Sequence, residues 1–342
     1  MTEAVVGTDA LCRGRLRQDA ADFQVREQLG FEPGAGGEHL WLHIRKTGWN
    51  TMDVALALAR LARLPVRNVG YSGLKDRHAV TDQWFSLHLP GKPDPNLSAL
   101  PDGIELLQAE RHNRKLNRGT HRSNAFRLVV RDLSGQTELL DQALERIRQH
   151  GVANYFGEQR FGRDDNNFRR AAGWLRGESE APRKNSLRGL WLSAVRSRMF
   201  NEVLAERERL GVWNTLLEGD VLQPEGSRGL FLADDEPQAA ERIAAGEVHP
   251  TAPLPGLGGM ASSRACAELE ARVLAPYQDL IEALCREGVE ASRRATRLPV
   301  TALEWQREGD ALILSFSLPA GAFATTVLAN FLDWTEHVAD RQ

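Results

Sequence analysis

Gly70-Tyr71-Ser72-Gly73-Leu74-Lys75-Asp76-Arg77-His78-Ala79-Val80-Thr81-Asp82-Gln83-Trp84 carries the densest chemistry in the chain. A glycine-bearing turn presents Asp76 between Lys75 and Arg77. Cations within roughly 4–6 Å of a carboxylate favour its ionised form, and only that form acts as a covalent nucleophile. In isolation, an aspartate in a basic turn is more often a turn-former or a salt-bridge partner.

The flanks of this run set the fold class. Before it, His39 to Ile44 alternates Leu40, Leu42 and Ile44 against His39, Trp41 and His43, the pattern of a half-buried strand. Asn50 or Thr51 then caps an apolar helical run from Met52 to Leu64, stopped by Pro65. After it, Gln83 to Leu89 reads as a strand closed by Pro90-Gly91, with further strands at 104–109 and 125–133 and a helix over 138–149. Beyond Gly151 the pattern turns helical, most clearly over Asn166 to Leu175, Leu192 to Arg209 and Ala265 to Glu287. Proline and glycine cluster at 223–229 and 253–259. The tail returns to strands at 301–306 and 311–318, and a helix begins near Gly321. Strands with interspersed helices and no βαβ rhythm predict an α+β (mixed α/β) fold rather than a doubly wound sheet. Residues 1–150 and 299–342 are expected to form one discontinuous domain, and 151–298 an insertion within it.

At 342 residues the chain is long enough for two domains, and its 42% hydrophobic and 26% charged residues are ordinary for a globular protein. No run of about 18 apolar residues is present, so no membrane span is expected. The amino terminus lacks the basic-then-apolar order of a signal peptide. Cys12, Cys266 and Cys285 lie far apart with no CxxC spacing, which suits a reducing cytoplasm and argues against zinc. Net charge is −3, yet the cations are segregated. Between Arg111 and Arg131 there are seven Lys or Arg (111, 114, 115, 118, 122, 127, 131) and no acid; between Arg183 and Arg198 there are five, again without one. Each stretch alone could be a solvated surface. Two of them, with aromatics nearby, point to a phosphate-contacting face.

Several familiar motifs fail on inspection. Gly70 to Leu74 lacks the second glycine of a nucleophile elbow, so Ser72 is no hydrolase serine. Gly256-x-Gly258-x-x-Ala261 fits a loose dinucleotide pattern, but Pro253 and Pro255 stand where a strand is required. Gly34-Ala35-Gly36-Gly37 has no following Lys-Ser or Lys-Thr, and His39 and His43 have no third metal ligand. No metal or cofactor is implied.

Four more blocks accompany the 70–84 run: Asp22-Phe23-Gln24-Val25, Asn124-Ala125-Phe126, Asn154 to Gly162 (Asn-Tyr-Phe-Gly-Glu-Gln-Arg-Phe-Gly) and Pro319 to Thr325 (Pro-Ala-Gly-Ala-Phe-Ala-Thr). In kind and order the five resemble the TruD family of tRNA pseudouridine synthases, across positions 22 to 325. The resemblance implies a catalytic domain on a mostly antiparallel sheet with an inserted α/β domain, and a cleft that takes a flipped-out base. It implies Asp76 as the nucleophile, and Arg17 at the place of a basic residue, commonly Lys, that pairs with it. Lys and Arg differ in geometry, and a surface arginine is the alternative. The resemblance also puts Phe23, Phe126 and Phe323 in the nucleotide pocket, where aromatic faces suit an unstacked base. Asn124, on the same strand face as Phe126, can read the uracil edge. Arg114, Lys115, Arg118 and Arg122 are the candidate RNA-backbone contacts. The implied substrate is uridine 13 of tRNA, typically tRNA(Glu), with a monomeric enzyme in the cytoplasm. At the carboxyl end Leu328-Ala329-Asn330-Phe331 replaces the Arg-Glu-Leu often found in the family.

Two other functions compete. A non-catalytic RNA-binding protein could use the same basic faces, but a carboxylate beside phosphate would weaken it. A glycosidase-type hydrolase would want a second carboxylate as general acid, and the sequence nominates none beside Asp76.

Overall fold

The computed structural model of the protein describes residues 10–336. The first elements, in chain order, are β1 (Cys12–Leu16), β2 (Phe23–Gln28), β3 (Ala35–Thr47), α1 (Thr51–Leu61), β4 (Val69–Tyr71), β5 (Val80–His88), β6 (Ile104–His112), β7 (Ser123–Gly135) and α2 (Leu140–His150). Then come β8 (Val152–Ala153), α3 (Asn166–Leu175), α4 (Asn185–Arg209), β9 (Val221–Pro224), β10 (Phe231–Leu232), α5 (Ala239–Ala244), β11 (Val248–Leu254), α6 (Arg264–Leu274), α7 (Gln278–Arg286), β12 (Ser292–Ala295) and β13 (Arg297–Leu298). The chain ends with β14 (Thr301–Glu308), β15 (Ala311–Pro319), α8 (Ala324–Leu328) and β16 (Leu332–Glu336). Two compact units emerge. Of the described residues, one takes 10–148, 300–324 and 328–336; the other takes 149–299 with 325–327.

The first unit is built on a ten-stranded sheet with the path β14-β15-β7-β2-β5-β3-β6, to which β1, β16 and β4 attach. Among the described strands of this sheet, β2 with β5 and β1 with β16 run parallel and the other pairs antiparallel. The β2–β5 pairing matters most, because it sets Phe23 to Gln28 beside the strand that leaves the Asp76 turn. Against one face of the sheet, Leu40, Leu42 and Ile44 of β3 pack with Val54, Ala55 and Leu58 of α1 and Phe85 and Leu87 of β5.

The alternation in β3 holds for that face but not for the other. Trp41 is 1% exposed, in a second cluster with Leu29, Trp84 and Leu116, so both faces of β3 are covered. Its indole satisfies the polar cost by donating from Nε1 to the Arg114 carbonyl at 2.8 Å. α1 stops at Leu61, three residues short of the sequence expectation. Arg63 turns left-handed at φ 50°, and the Leu64 N–H reaches back to the Ala59 carbonyl at 2.8 Å, closing the helix before Pro65 is reached.

The second unit has a four-stranded sheet, β10-β9-β11-β12, and a two-stranded pair, β13 with β8, accompanied by helices. Here α4 starts at Asn185, earlier than expected, and the helical run from 265 divides into α6 and α7 around Pro276. A strand does stand where Pro253 argued against one: β11 pairs Pro253 with Arg293. The chain beyond Gly256 is nevertheless loop until α6 begins at Arg264, so no helix takes up the glycine pattern. Among the described residues, no helix is long and apolar enough to cross a membrane.

Candidate active site

Asp76 sits in the loop between β4 and β5, its side chain 42% exposed. Three partners fix it. Arg17 Nη1 lies 2.9 Å from Oδ2, the His78 N–H donates to Oδ1 at 3.1 Å, and Lys46 Nζ donates to the Asp76 backbone carbonyl at 2.7 Å. The neighbours in sequence are not the neighbours in space. Lys75 turns inward to Glu27 at 2.7 Å, and Arg77 Nε donates to the Gly48 carbonyl at 3.0 Å. The cation on the carboxylate is Arg17. It leaves β1 with a left-handed φ of 57° and lays its guanidinium 4.1 Å from the Phe23 ring centroid. Its Nη1 also lies 3.4 Å from Glu336. The other carboxylate of the run, Asp82, is engaged on the sheet by Arg45 at 2.8 Å and Arg26 at 3.4 Å.

The loop carrying Asp76 is tied down by groups to which the sequence assigned no role in the site. Ser72 Oγ donates to Glu27 Oε2 at 2.8 Å, and the Lys75 N–H to Thr51 Oγ1 at 2.8 Å. Gln83 Nε2 donates to the Gly73 carbonyl at 2.6 Å, and its Oε1 accepts from Thr51 Oγ1 at 3.0 Å. Glu27 also accepts the Trp84 N–H at 3.0 Å. Gly70 is needed where it stands, because a Cβ there would come 2.3 Å from the Leu116 carbonyl oxygen. These contacts join residues up to 57 positions apart, which no local pattern encodes.

Lys46 is fully buried and donates to both the Trp49 and Asp76 carbonyls at 2.7 Å. Burial pushes its pKa down to about 8, with Asp76 opposing the shift and Lys75 adding to it. Between about pH 8 and the ordinary lysine value of 10.5, the folded protein therefore binds fewer protons than the unfolded chain. By linkage this group makes stability rise with pH across that window. Lys46→Met should remove the rising component from urea midpoints measured against pH. Parallel midpoint profiles for the two proteins would contradict the assignment.

Phe23 and Phe126 are buried and meet edge to face, with centroids 6.4 Å apart. Phe126 also stacks on Phe316 at 5.4 Å. Asn124 and Phe126 share the buried face of β7, where Asn124 stands in register with Glu27 of β2. Asn124 Nδ2 lies 3.3 Å from His121 Nε2, while its Oδ1 and the His121 Nδ1 are buried without partners among the described residues. Burial lowers the His121 pKa, leaving the ring neutral near pH 7. His121 thus joins the site unannounced by any motif. Phe323 precedes α8, is 46% exposed and, among the described residues, makes no ring contact with Phe23 or Phe126.

Arg114, Lys115, Arg118 and Arg122 are exposed and, among the described residues, have no carboxylate partner. By contrast Arg111 pairs with Asp94 at 2.6 Å and Arg131 with Asp22 at 2.7 Å. The second basic stretch is less available than its sequence suggests. Arg188 pairs with Glu287, Arg198 with Asp165, and Arg196 bonds the Leu254 and Glu290 carbonyls. The histidines with metal-pair spacing stack instead, His39 on His88 and His43 on Trp84, each at 4.6 Å.

Comparison with known proteins agrees with this architecture. The family described as tRNA pseudouridine synthase D (TruD) matches residues 3–180 and 179–331. The protein named tRNA pseudouridine synthase D from Aeromonas hydrophila is 46% identical over 326 residues, 95% of this chain and 92% of that one. Those of Ectopseudomonas mendocina and Methylococcus capsulatus are each 45% identical, with 95% of this chain and 93% of theirs covered. In fold, the chain matches a crystal structure from Methanosarcina mazei described as a candidate tRNA pseudouridine synthase D. The TM-score is 0.78 at 22% identity, over 95% of this chain and 94% of that one. The chain belongs to the tRNA pseudouridine synthase D (TruD) family.

Proposed function

We propose that this protein converts uridine to pseudouridine in tRNA, at uridine 13 of tRNA(Glu), with Asp76 as the nucleophile. The observation that carries the reading is the ion pair of Asp76 with Arg17, set against Phe23 in a member of this family. The reaction cuts the C1′–N1 bond, turns the freed uracil and joins C5 to C1′. C5 gives up its proton and N1 gains one, so substrate and product are isomers. One carboxylate suffices as the transient covalent partner. In this reading Arg17 holds the carboxylate in place, Phe23 and Phe126 form the apolar wall for the base, and Asn124 offers its free Oδ1 to the uracil N3–H. Phe323, 46% exposed, supplies a third aromatic face of the nucleotide pocket. An unmodified tRNA(Glu) transcript incubated with the protein should gain pseudouridine at position 13 when mapped chemically. Pseudouridine at another position would overturn the site, and none in any tRNA would overturn the reaction.

In the same reading Arg114, Lys115, Arg118 and Arg122 contact phosphates. Binding that releases counterions weakens steeply with salt. Reversing charge at Arg114, Lys115 and Arg118 together should weaken tRNA binding and flatten the salt slope by about one for each phosphate left unneutralised. A triple variant with wild-type affinity and slope would make this a solvated face.

A further inference from the structure

In the unit of residues 149–299, several arginines removed from water face a carboxylate. Arg207 holds Asp220 through bonds of 2.7 and 2.9 Å, Arg293 pairs with Glu270, and Arg198 meets Asp165 at 2.6 Å. Arg196 and Arg297 are each bonded instead to two backbone carbonyls. Arg160 and Arg294 follow neither pattern. Arg294 Nη2 donates to Asn154 Oδ1 at 2.5 Å, and Arg160 Nη1 donates to Ser193 Oγ at 3.2 Å. Each thus holds one neutral oxygen and, among the described residues, no carboxylate. Among the described residues the Nε of Arg294 is buried without a partner, as are those of Arg196, Arg198 and Arg297. Both guanidiniums lie over the same ring, Phe156, at 4.2 Å for Arg294 and 5.3 Å for Arg160.

Like charges gathered at one ring and partly desolvated oppose folding unless an anion joins them. Burial lowers the pKa of both, that of Arg294 to about 10, where Arg160 adds to the shift. The free N–H groups of a guanidinium match the oxygens of a phosphate better than those of any neutral ligand. We propose that Arg160 and Arg294 form a phosphate site, with Phe156 as its apolar wall, that takes a backbone phosphodiester of the RNA substrate. The identity of the ligand rests on the tRNA-modifying reading above; the existence of an anion site does not.

Arg160→Gln and Arg294→Gln test it with two measurements. Inorganic phosphate, compared with chloride at equal ionic strength, should raise the melting temperature of the wild type and not of either variant. Each variant should bind unmodified tRNA about tenfold or more weakly, with a salt slope flatter by about one. Without added anion their melting temperatures should hold or rise, since a repulsion is relieved. If Arg294→Gln fails to fold for want of its bond to Asn154, Arg160→Gln decides alone. A phosphate shift that survives in the variant, or a lower melting temperature with unchanged tRNA binding, would make the pair a packing element. The two readings fail separately: a wild type that forms no pseudouridine but shows the phosphate shift loses its function and keeps the site. One that forms pseudouridine without the shift does the reverse.

Discussion

An Asp76→Asn protein should fold, bind tRNA as the wild type does and form no pseudouridine. The substitution keeps the shape of the side chain and its oxygen for the His78 N–H, while the backbone carbonyl held by Lys46 is untouched. It removes the charge opposite Arg17, in a pair whose aspartate is 42% exposed, so the stability lost is about 0–1 kcal/mol. It also removes the nucleophile, because an amide oxygen does not form the covalent link that a carboxylate does. Turnover should therefore fall below detection while melting temperature and tRNA affinity barely move. Mapping by chemical modification on a preparation verified by mass is the measurement. Pseudouridine at an appreciable rate from that preparation would take the nucleophile role away from Asp76.

The sequence made the Asp76 loop and much of its scaffold readable, and the reasons differ from residue to residue. The α1 helix and the buried side of β3 follow from apolar spacing, which reports burial directly when one face of an element meets the core. Trp41 shows where that logic stops: the second face of β3 is covered by residues distant in sequence, Leu29, Trp84 and Leu116, so alternation understates its burial. Arg17 could be nominated only by resemblance, since 59 positions separate it from Asp76 and no period connects them. Glu27, Lys46, Thr51 and Gln83 gave no signal of a role in the site. Each is a polar residue with a partner about 30 or more positions away, and for Glu27 the parallel neighbourhood of β2 and β5 that supplies it cannot be read from either strand alone. The second basic stretch shows another limit. Charge runs show where cations are abundant, not which of them already have a carboxylate, and Arg188 and Arg198 do.

Losing Glu27 should cost far more stability than losing the charge of Asp76. Its side chain is fully buried and its oxygens take up Lys75 Nζ, Ser72 Oγ and the Trp84 N–H, at 2.7, 2.8 and 3.0 Å. Glu27→Ala strands a lysine whose side chain is 8% exposed, together with two further donors. Breaking one side of a buried ion pair typically costs about 3–5 kcal/mol, and urea denaturation should report a loss of that size. Lys75→Met should be similarly harmful, because it leaves the carboxylate without its cation. The pair Glu27→Leu with Lys75→Met should recover much of the loss, since apolar residues of matching volume leave no charge unpaired. Activity should not return with it: Ser72 then has no acceptor, and the loop that presents Asp76 loses its anchor on β2. If the losses of the single variants Glu27→Leu and Lys75→Met instead add in the double variant to within about 0.5 kcal/mol, the two side chains are energetically independent. The ion pair would then not be what holds the loop.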